Sequence, residues 1–165
     1  RFMFELYVDY PTRAEEERIV EWTTGDTAAV IAPVLTADEL IQLQRLVRRV
    51  PAPKVVVEAA VRMARMTRPV DAGAPEVVKE YVAWGAGPRA SQYLVLGAKA
   101  RAAMDGRPMA DLEDLDAVVL PVLRHRIVVN FNAEAAGKKS DEIVREVAAR
   151  ARGEIPAARV DHTSG

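Results

Sequence analysis

The stretch Trp84-Gly85-Ala86-Gly87-Pro88-Arg89-Ala90-Ser91 decides the fold of this chain, because a tight turn here opens directly into a long helical run. Two glycines and a proline favour the turn. Pro88 suits the first position of the helix, since its missing N–H would have no helical partner there and its φ is already helical. Arg89 then lies in the first helical turn, where the positive end of the helix dipole disfavours a cation.

The unfavourable placement of Arg89 allows two interpretations. In the first, the guanidinium and the free backbone N–H groups of the first turn bind a single phosphate. In the second, Arg89 is a surface arginine that follows a Gly-Pro turn. The local physics alone gives more weight to the surface arginine, so the phosphate interpretation needs support from the rest of the chain.

Length and composition favour one mainly helical domain with tails. The chain has 165 residues, half of them apolar, with many alanines and few aromatic side chains, a mixture that favours helices over a sheet-rich fold. It begins at Arg1 without a methionine, which suggests a fragment of a longer protein.

Charge and residue types exclude several functional classes. A formal net charge of −1 gives no indication of binding to nucleic acid or to an anionic membrane. The sequence has no cysteine, and His125 and His162 are too far apart for a metal site, so we expect no metal ligands. No apolar run reaches the ~18 residues of a membrane span and no signal peptide is visible, so we expect a soluble, cytoplasmic protein.

Capping signals and apolar periodicity predict a series of helices. Thr12 with Glu15 and Thr36 with Glu39 form capping boxes, and Asp111 is a further N-cap candidate. Pro121 is expected to bend or end the helix that follows Asp111. Further helices are predicted over residues 55–67, 75–81, 88–104 and 140–152, with loops at 24–33, 69–75 and 132–137 and an apolar run of strand or irregular type at 127–129.

The N-terminal residues show the alternation of a β-strand. Phe2, Phe4, Leu6 and Val8 alternate with less apolar neighbours, and Pro11 ends the run. A single strand has no neighbour for its ladder hydrogen bonds. We therefore expect it either to pair between chains or to fold back onto the helices.

The chain lacks the motifs of a self-contained enzyme. It has no glycine-rich phosphate loop ending in Lys-Ser/Thr, no acidic strand end for magnesium and no Ser-His-Asp set. His125 has no carboxylate or nucleophile near it in sequence and is interpreted as a hydrogen-bonded structural residue. We expect the chain alone to be inactive, although its residues could contribute to a reaction run by a larger protein.

A set of stretches occurs together and in this order in one protein family. The set includes Arg1-Phe2-Met3-Phe4, Gly85-Ala86-Gly87-Pro88-Arg89-Ala90, Pro121-Val122-Leu123-Arg124-His125-Arg126-Ile127 and Asn130-Phe131-Asn132-Ala133-Glu134-Ala135-Ala136-Gly137. On this ordered set the chain resembles the C-terminal part of a MoxR-type AAA+ ATPase, related to the magnesium-chelatase clade. No single stretch carries the resemblance alone.

The resemblance implies an α/β nucleotide-binding core followed by a helical lid. The fold class is then mainly α, a helical AAA+ lid-type bundle with one N-terminal strand left from the α/β core. Residues 1–11 would be the last core strand, 12–35 a connecting helix and loop, 36–152 the lid and 153–165 a flexible tail.

The resemblance also implies roles for two arginines. Arg1 matches the arginine finger that reaches the γ-phosphate bound by a neighbouring subunit. Arg89 matches the sensor-2 arginine, and Gly87, Pro88 and Arg89 would form the turn that faces the nucleotide, with Gly87 in place of the usual serine. For the stretch Arg124-His125-Arg126 we expect a structural role.

The implied function is that of a lid and sensor in a chaperone ATPase that matures or assembles protein complexes. The full-length protein would bind ATP and Mg²⁺, and this chain alone would bind neither tightly. The implied partners are its own ATPase core, neighbouring subunits of a hexamer and a protein with a von Willebrand factor A domain.

The alternative is a free-standing helical interaction module that binds a protein partner and no nucleotide. Its candidate surface for an acidic partner consists of Arg45, Arg48, Arg49, Arg62, Arg65 and Arg68.

Overall fold

Helices account for most of the structure, a computed structural model that describes residues 2–26 and 31–153. The elements in chain order are α1 (Arg13–Thr24), α2 (Ala37–Arg49), α3 (Lys54–Met66), α4 (Glu76–Tyr81), β1 (Val82–Trp84), α5 (Pro88–Met104), α6 (Leu112–Leu123), β2 (Val128–Val129), α7 (Phe131–Ala135) and α8 (Ser140–Gly153). The mainly α fold class is confirmed. Arg1 and nearly all of the predicted tail lie outside the described residues.

The predicted helix starts are confirmed by their hydrogen bonds. The Thr12 and Thr36 hydroxyls accept from the backbone N–H groups of Glu15 and Glu39, and both capping boxes are complete. A third capping box joins Asp111 to Asp114 at the start of α6. These side chains satisfy backbone N–H groups that the helices leave without a partner.

The core lies where α5 packs against α6 and α3, with α8 covering α3 and α6. Its large side chains are fully buried and come from all four helices: Met63, Met66, Leu94, Leu115, Leu123 and Ile143. By contrast, α1 and α2 contribute no buried residue. The buried core therefore belongs to the bundle from α3 to α8. The N-terminus of α5 lies at the surface of this bundle.

A small antiparallel sheet, which sequence analysis missed in part, fixes the position of the turn before α5. In this sheet Val82 of β1 pairs with Val129 of β2, and Trp84 pairs with Val128. Because the strands are antiparallel, the end of β1 lies beside the start of β2. The turn at residues 85–87 is consequently placed close to residues 124–127, although the two segments are distant in sequence.

The prediction of an N-terminal strand is wrong for residues 2–11, which form no ladder with any described strand. The Glu5 N–H donates to the Pro121 carbonyl at 2.8 Å. Arginine side chains, rather than a second strand, donate to the carbonyls of Phe2 and Glu5. The segment does fold back onto the helices, but by polar contacts, since the side chains of Phe2, Leu6 and Val8 are 81%, 73% and 94% exposed.

Two local predictions near the end of the chain also need correction. Residues 132–135, predicted as part of a loop, belong to α7, because the Asn130 side chain accepts from the Ala133 N–H at 3.1 Å and caps a short helix. Pro121 does not end α6, which continues to Leu123. Its carbonyl keeps a partner in the Glu5 N–H, which lies outside the helix.

Candidate functional site

The turn before α5 is anchored to the end of α3 through Ala86. The Thr67 hydroxyl accepts from the Ala86 N–H at 2.8 Å and donates to the Ala64 carbonyl at 2.7 Å. The Arg68 Nε donates to the Ala86 carbonyl at 2.9 Å. Both backbone groups of Ala86 are thus satisfied by the two residues that directly follow α3, and the turn is held in one place.

Gly85 makes this anchoring possible. A Cβ atom at this position would lie 2.4 Å from the Thr67 carbonyl oxygen and 2.6 Å from the Arg68 Cα. Both of these atoms belong to the backbone, so a side chain at position 85 would force the turn away from α3. By contrast, a Cβ at Gly87 would meet nothing within 4 Å.

Arg89 is exposed on the first turn of α5, as the sequence predicts. Gly87 is the N-cap residue, with extended backbone and no side-chain cap, and Pro88 occupies the first turn. The structure therefore brings Gly87, Pro88 and Arg89 together at the N-terminus of a 17-residue helix. Pro88 has no N–H and the Ala90 N–H donates to the Gly87 carbonyl at 3.0 Å, so the Arg89 guanidinium and the helix dipole are what suit this point to an anion such as a phosphate.

A second cation, Arg126, lies beside Arg89 and was missed as a site residue. Burial lowers the pKa of Arg126, and the nearby positive charge of Arg89 lowers it further. The Arg126 guanidinium carbon lies 5.0 Å from the ring centroid of Tyr93, one turn after Arg89 on α5. The sequence signal for Arg126 was the stretch 124–126, but its proximity to Arg89 depends on the β1–β2 pairing.

The predicted arginine finger, Arg1, lies outside the described residues. The next residue, Phe2, is held in place through its backbone carbonyl oxygen. Arg126 donates to this oxygen, and His125 Nε2 lies 3.3 Å from it. His125 Nδ1 also lies 3.8 Å from a carboxylate oxygen of Glu5, so tertiary structure supplies a carboxylate that its sequence neighbours lack.

The arginines of the alternative partner surface are partly engaged within the chain. Arg65 forms an ion pair with Asp71 at 2.9 Å, and Arg68 supports the turn at Ala86. Arg62 Nη1 donates to the Ala151 carbonyl at 3.5 Å. Half of the proposed surface is thus used to hold the fold together, which weakens the alternative.

Two classes of site are not found in the described part of the chain. Residues 2–26 and 31–153 contain no group of histidine and acidic side chains arranged to hold a metal ion. Within the same ranges, none of the helices has both the length and the apolar character needed to cross a membrane.

The AAA lid domain family matches residues 75–147, from the start of α4 into α8. Among curated proteins, the chain is similar to chaperone MoxR1 of Mycobacterium tuberculosis, with 33% identity over 147 residues, which cover 89% of this chain and 37% of that protein. It is also similar to YeaC of Bacillus subtilis, with 28% identity over 148 residues, covering 89% of this chain and 43% of that protein. The chain thus spans less than half the length of the curated relatives that it matches.

A solved structure has the same fold. It is that of a candidate ATPase from Cytophaga hutchinsonii, which superposes with a TM-score of 0.82 over 91% of this chain and 46% of that chain, at 23% sequence identity. The family match, the similarity to MoxR1 and the shared fold agree with the ordered stretches of the sequence. Together these findings support a MoxR-type AAA+ lid fragment, with the AAA lid domain over residues 75–147.

Proposed function

We propose that this chain is the lid and nucleotide sensor of an ATP-hydrolysing chaperone ATPase, and that Arg89 is its sensor-2 arginine. The observation that carries the proposal is the placement of Arg89 at the N-terminus of α5, on a turn that α3 holds in place. The helix dipole alone disfavours a cation there. A phosphate bound at this point would turn that unfavourable placement into a favourable one.

The chemistry expected of Arg89 is charge compensation. During phosphoryl transfer, negative charge is spread over the oxygens of the γ-phosphoryl group, and a guanidinium aimed at them stabilises the transition state. Arginine fingers in other enzymes contribute about 10³–10⁵ in rate. The anchored turn would keep the Arg89 backbone in place, so that little ordering is needed when the phosphate arrives.

The described residues fit one part of the Mg²⁺–ATP complex. They offer a guanidinium and the positive end of a helix dipole for a phosphate, but no cluster of three or more acidic or histidine side chains for a metal ion. We infer that Mg²⁺ and the rest of the nucleotide are bound by an ATPase core elsewhere in the protein. The lid alone is then expected to hydrolyse no ATP.

The same proposal includes assembly. If Arg1 is an arginine finger, it acts on the nucleotide of a neighbouring subunit, so the protein works as a ring, with a hexamer as the expected form. We extend to the full-length protein a chaperone role in the maturation of protein complexes, which the name of MoxR1 supports. A von Willebrand factor A domain protein is the partner that we propose.

Hydrogen exchange in the complete protein, with and without a non-hydrolysable ATP analogue and Mg²⁺, tests this proposal. We expect the amides of residues 89–91 to exchange about tenfold more slowly when the analogue is bound, because an anion at the positive end of the helix dipole stabilises the first turn of α5 against opening. The amides of α8, which packs against α3 and α6, serve as an internal control. Analogue binding without any change at residues 89–91 would contradict the sensor assignment and favour a lid that does not meet the nucleotide.

A further inference from the structure

The chain preceding α1 is held by a single short stretch of the lid. We define the strap as residues 2–7 and the basic turn as residues 124–126, which directly follow α6. Arg126 donates to the Phe2 carbonyl, and His125 Nε2 lies 3.3 Å from the same oxygen. The Arg124 guanidinium carbon lies 4.2 Å from the ring centroid of Tyr7. Every residue of the basic turn therefore contacts the strap.

The basic turn is itself fixed to the lid from two directions. Arg124 Nη2 donates to the Asp141 carboxylate of α8 at 2.9 Å, and these side chains are only 11% and 15% exposed. On the other side, Arg126 lies over the ring of Tyr93 on α5. Tyr93 is four residues after Arg89 and so shares its face of the helix. The basic turn thereby connects the strap to α8 and to the helix that carries Arg89.

A backbone hydrogen bond completes the contact. The Glu5 N–H donates to the Pro121 carbonyl at 2.8 Å. Pro121 lies in the last turn of α6, where carbonyl groups have no further helical partner. The strap supplies that missing donor, so its position is set by the end of α6 as well as by the basic turn.

Apolar burial holds only part of the strap. Phe2, Leu6 and Tyr7 are 81%, 73% and 67% exposed, whereas Phe4 is 40% exposed and Met3 is partly buried. With Phe2, Leu6 and Tyr7 largely in solvent, the strap depends strongly on its few polar and cation–π contacts. Removal of one such contact should therefore release the strap without disturbing the core.

We propose that the basic turn is a clamp that docks the strap onto the lid and links it, through Arg126 and Tyr93, to the helix that carries Arg89. The docking part rests on the contacts above. The positioning part, an effect of the docked strap on ATP hydrolysis, rests on the proposed function, because Arg89 is the proposed sensor-2 arginine. Arg124, His125 and Arg126 are in this account positioning residues, which act on ATP hydrolysis through the strap and through Tyr93.

The test uses the complete protein with Tyr7→Leu, which removes the cation–π contact with Arg124, and Arg126→Gln, which removes the guanidinium that contacts Phe2 and Tyr93. Tyr10→Leu is the matched control, since Tyr10 is also a tyrosine before α1 but is 94% exposed and lies outside the strap. The readouts are the exchange rate of the Glu5 amide and the kcat and KM for ATP. We expect Glu5 exchange to be about fivefold faster in both clamp variants, and unchanged in the control.

We also expect kcat to fall about three- to tenfold in both clamp variants. In Tyr7→Leu, which leaves the cations near Arg89 in place, KM should change less than about twofold, because the strap affects positioning rather than ATP binding. Unchanged Glu5 exchange in both clamp variants would overturn the clamp. A released Glu5 amide with unchanged kcat would overturn the positioning role. A protein that hydrolyses no ATP would overturn the proposed function instead, and the Glu5 amide would still decide whether the clamp exists.

Discussion

At the scale of single residues, the two glycines of the turn before α5 have different requirements. Gly85 lies against the backbone of Thr67 and Arg68, whereas Gly87 faces open space with an extended backbone that any residue can adopt. The need for glycine at position 85 is therefore one of space. At position 87 the structure has room for a capping serine, which is the usual residue in the family.

Serine substitutions at these positions should consequently have opposite effects. We expect Gly85→Ser to lower the free energy of unfolding by about 1–3 kcal/mol, because its Cβ would overlap the backbone after α3. Gly87→Ser should raise it by about 0.3 kcal/mol, since a serine at the N-cap accepts a backbone hydrogen bond. Urea denaturation of both variants measures the difference. Equal losses at both positions would show that the turn is not packed against α3.

Asp114 is a buried carboxylate whose charge stabilises the fold. Arg107 donates to both of its oxygens, at 2.6 and 2.9 Å, and the Asp111 N–H donates at 2.9 Å. Hydrogen bonding to Arg107 lowers the pKa of Asp114 below its ordinary value, against the opposing effect of burial. The contribution is complete above the pKa of the unfolded chain, about 3.9, and is lost as the pH falls through the lower, folded value.

Asp114→Asn should therefore cost about 2 kcal/mol at pH 7, through loss of charge-assisted hydrogen bonds. The difference from wild type should begin to shrink as the pH falls below about 4, where the carboxylate of the unfolded chain takes up a proton, and should be lost once the pH has passed the lower pKa of the folded protein. Denaturant unfolding at several pH values measures this. Asp116→Asn is the control. Burial raises the pKa of Asp116, so ionisation of this carboxylate does not stabilise the folded protein. A difference that stays constant down to pH 2 would refute the role of the Asp114 charge.

At the scale of elements, α1 differs from the helices of the bundle. It has a complete capping box but buries no residue, and it spans 12 residues. A helix of this length is only marginally stable in water without tertiary packing. Its capping and its ion pair between Arg13 and Glu17 are both exposed and contribute little.

In the 165-residue chain, we expect α1 amides to exchange within about tenfold of the rate of an unstructured peptide, whereas α5 amides exchange at least about 10³-fold more slowly. Hydrogen exchange followed by mass spectrometry measures both helices in one sample. Comparable protection of α1 and α5 would mean that α1 packs against the bundle more extensively than its exposed side chains indicate.

Elements were predictable from the sequence where local interactions decide them. The boundaries of α5 follow from Pro88 and from the Asp105-Gly106 end, where Gly106 has a φ of 68°. The capping boxes likewise located α1, α2 and α6. The strand predicted for the N-terminus was wrong because alternation reports the faces of an extended segment but not whether a neighbouring strand is present.

At the scale of the whole molecule, the sequence predicted the position of Arg89 but not the residues that surround it. A Gly-Pro turn that opens a helix is a local signal, and the family resemblance gave it a role. The proximity of Arg126, the anchoring of Ala86 by Thr67 and the docking of the strap all arise from pairs distant in sequence. Such contacts depend on how the β1–β2 ladder and the bundle bring separate segments together, which no local pattern encodes.

If Arg89 acts on the nucleotide, its substitution should change ATP turnover by the complete protein. Arg89→Ala and Arg89→Lys are compared with wild type at saturating ATP, with ATP affinity measured separately, and Arg45→Ala, an exposed arginine on α2, is the control. We predict that Arg89→Ala lowers turnover about 10- to 1,000-fold with affinity changed less than about threefold, and that Arg89→Lys is intermediate. Normal assembly with turnover within about twofold of wild type would contradict the account and leave Arg89 as a surface arginine.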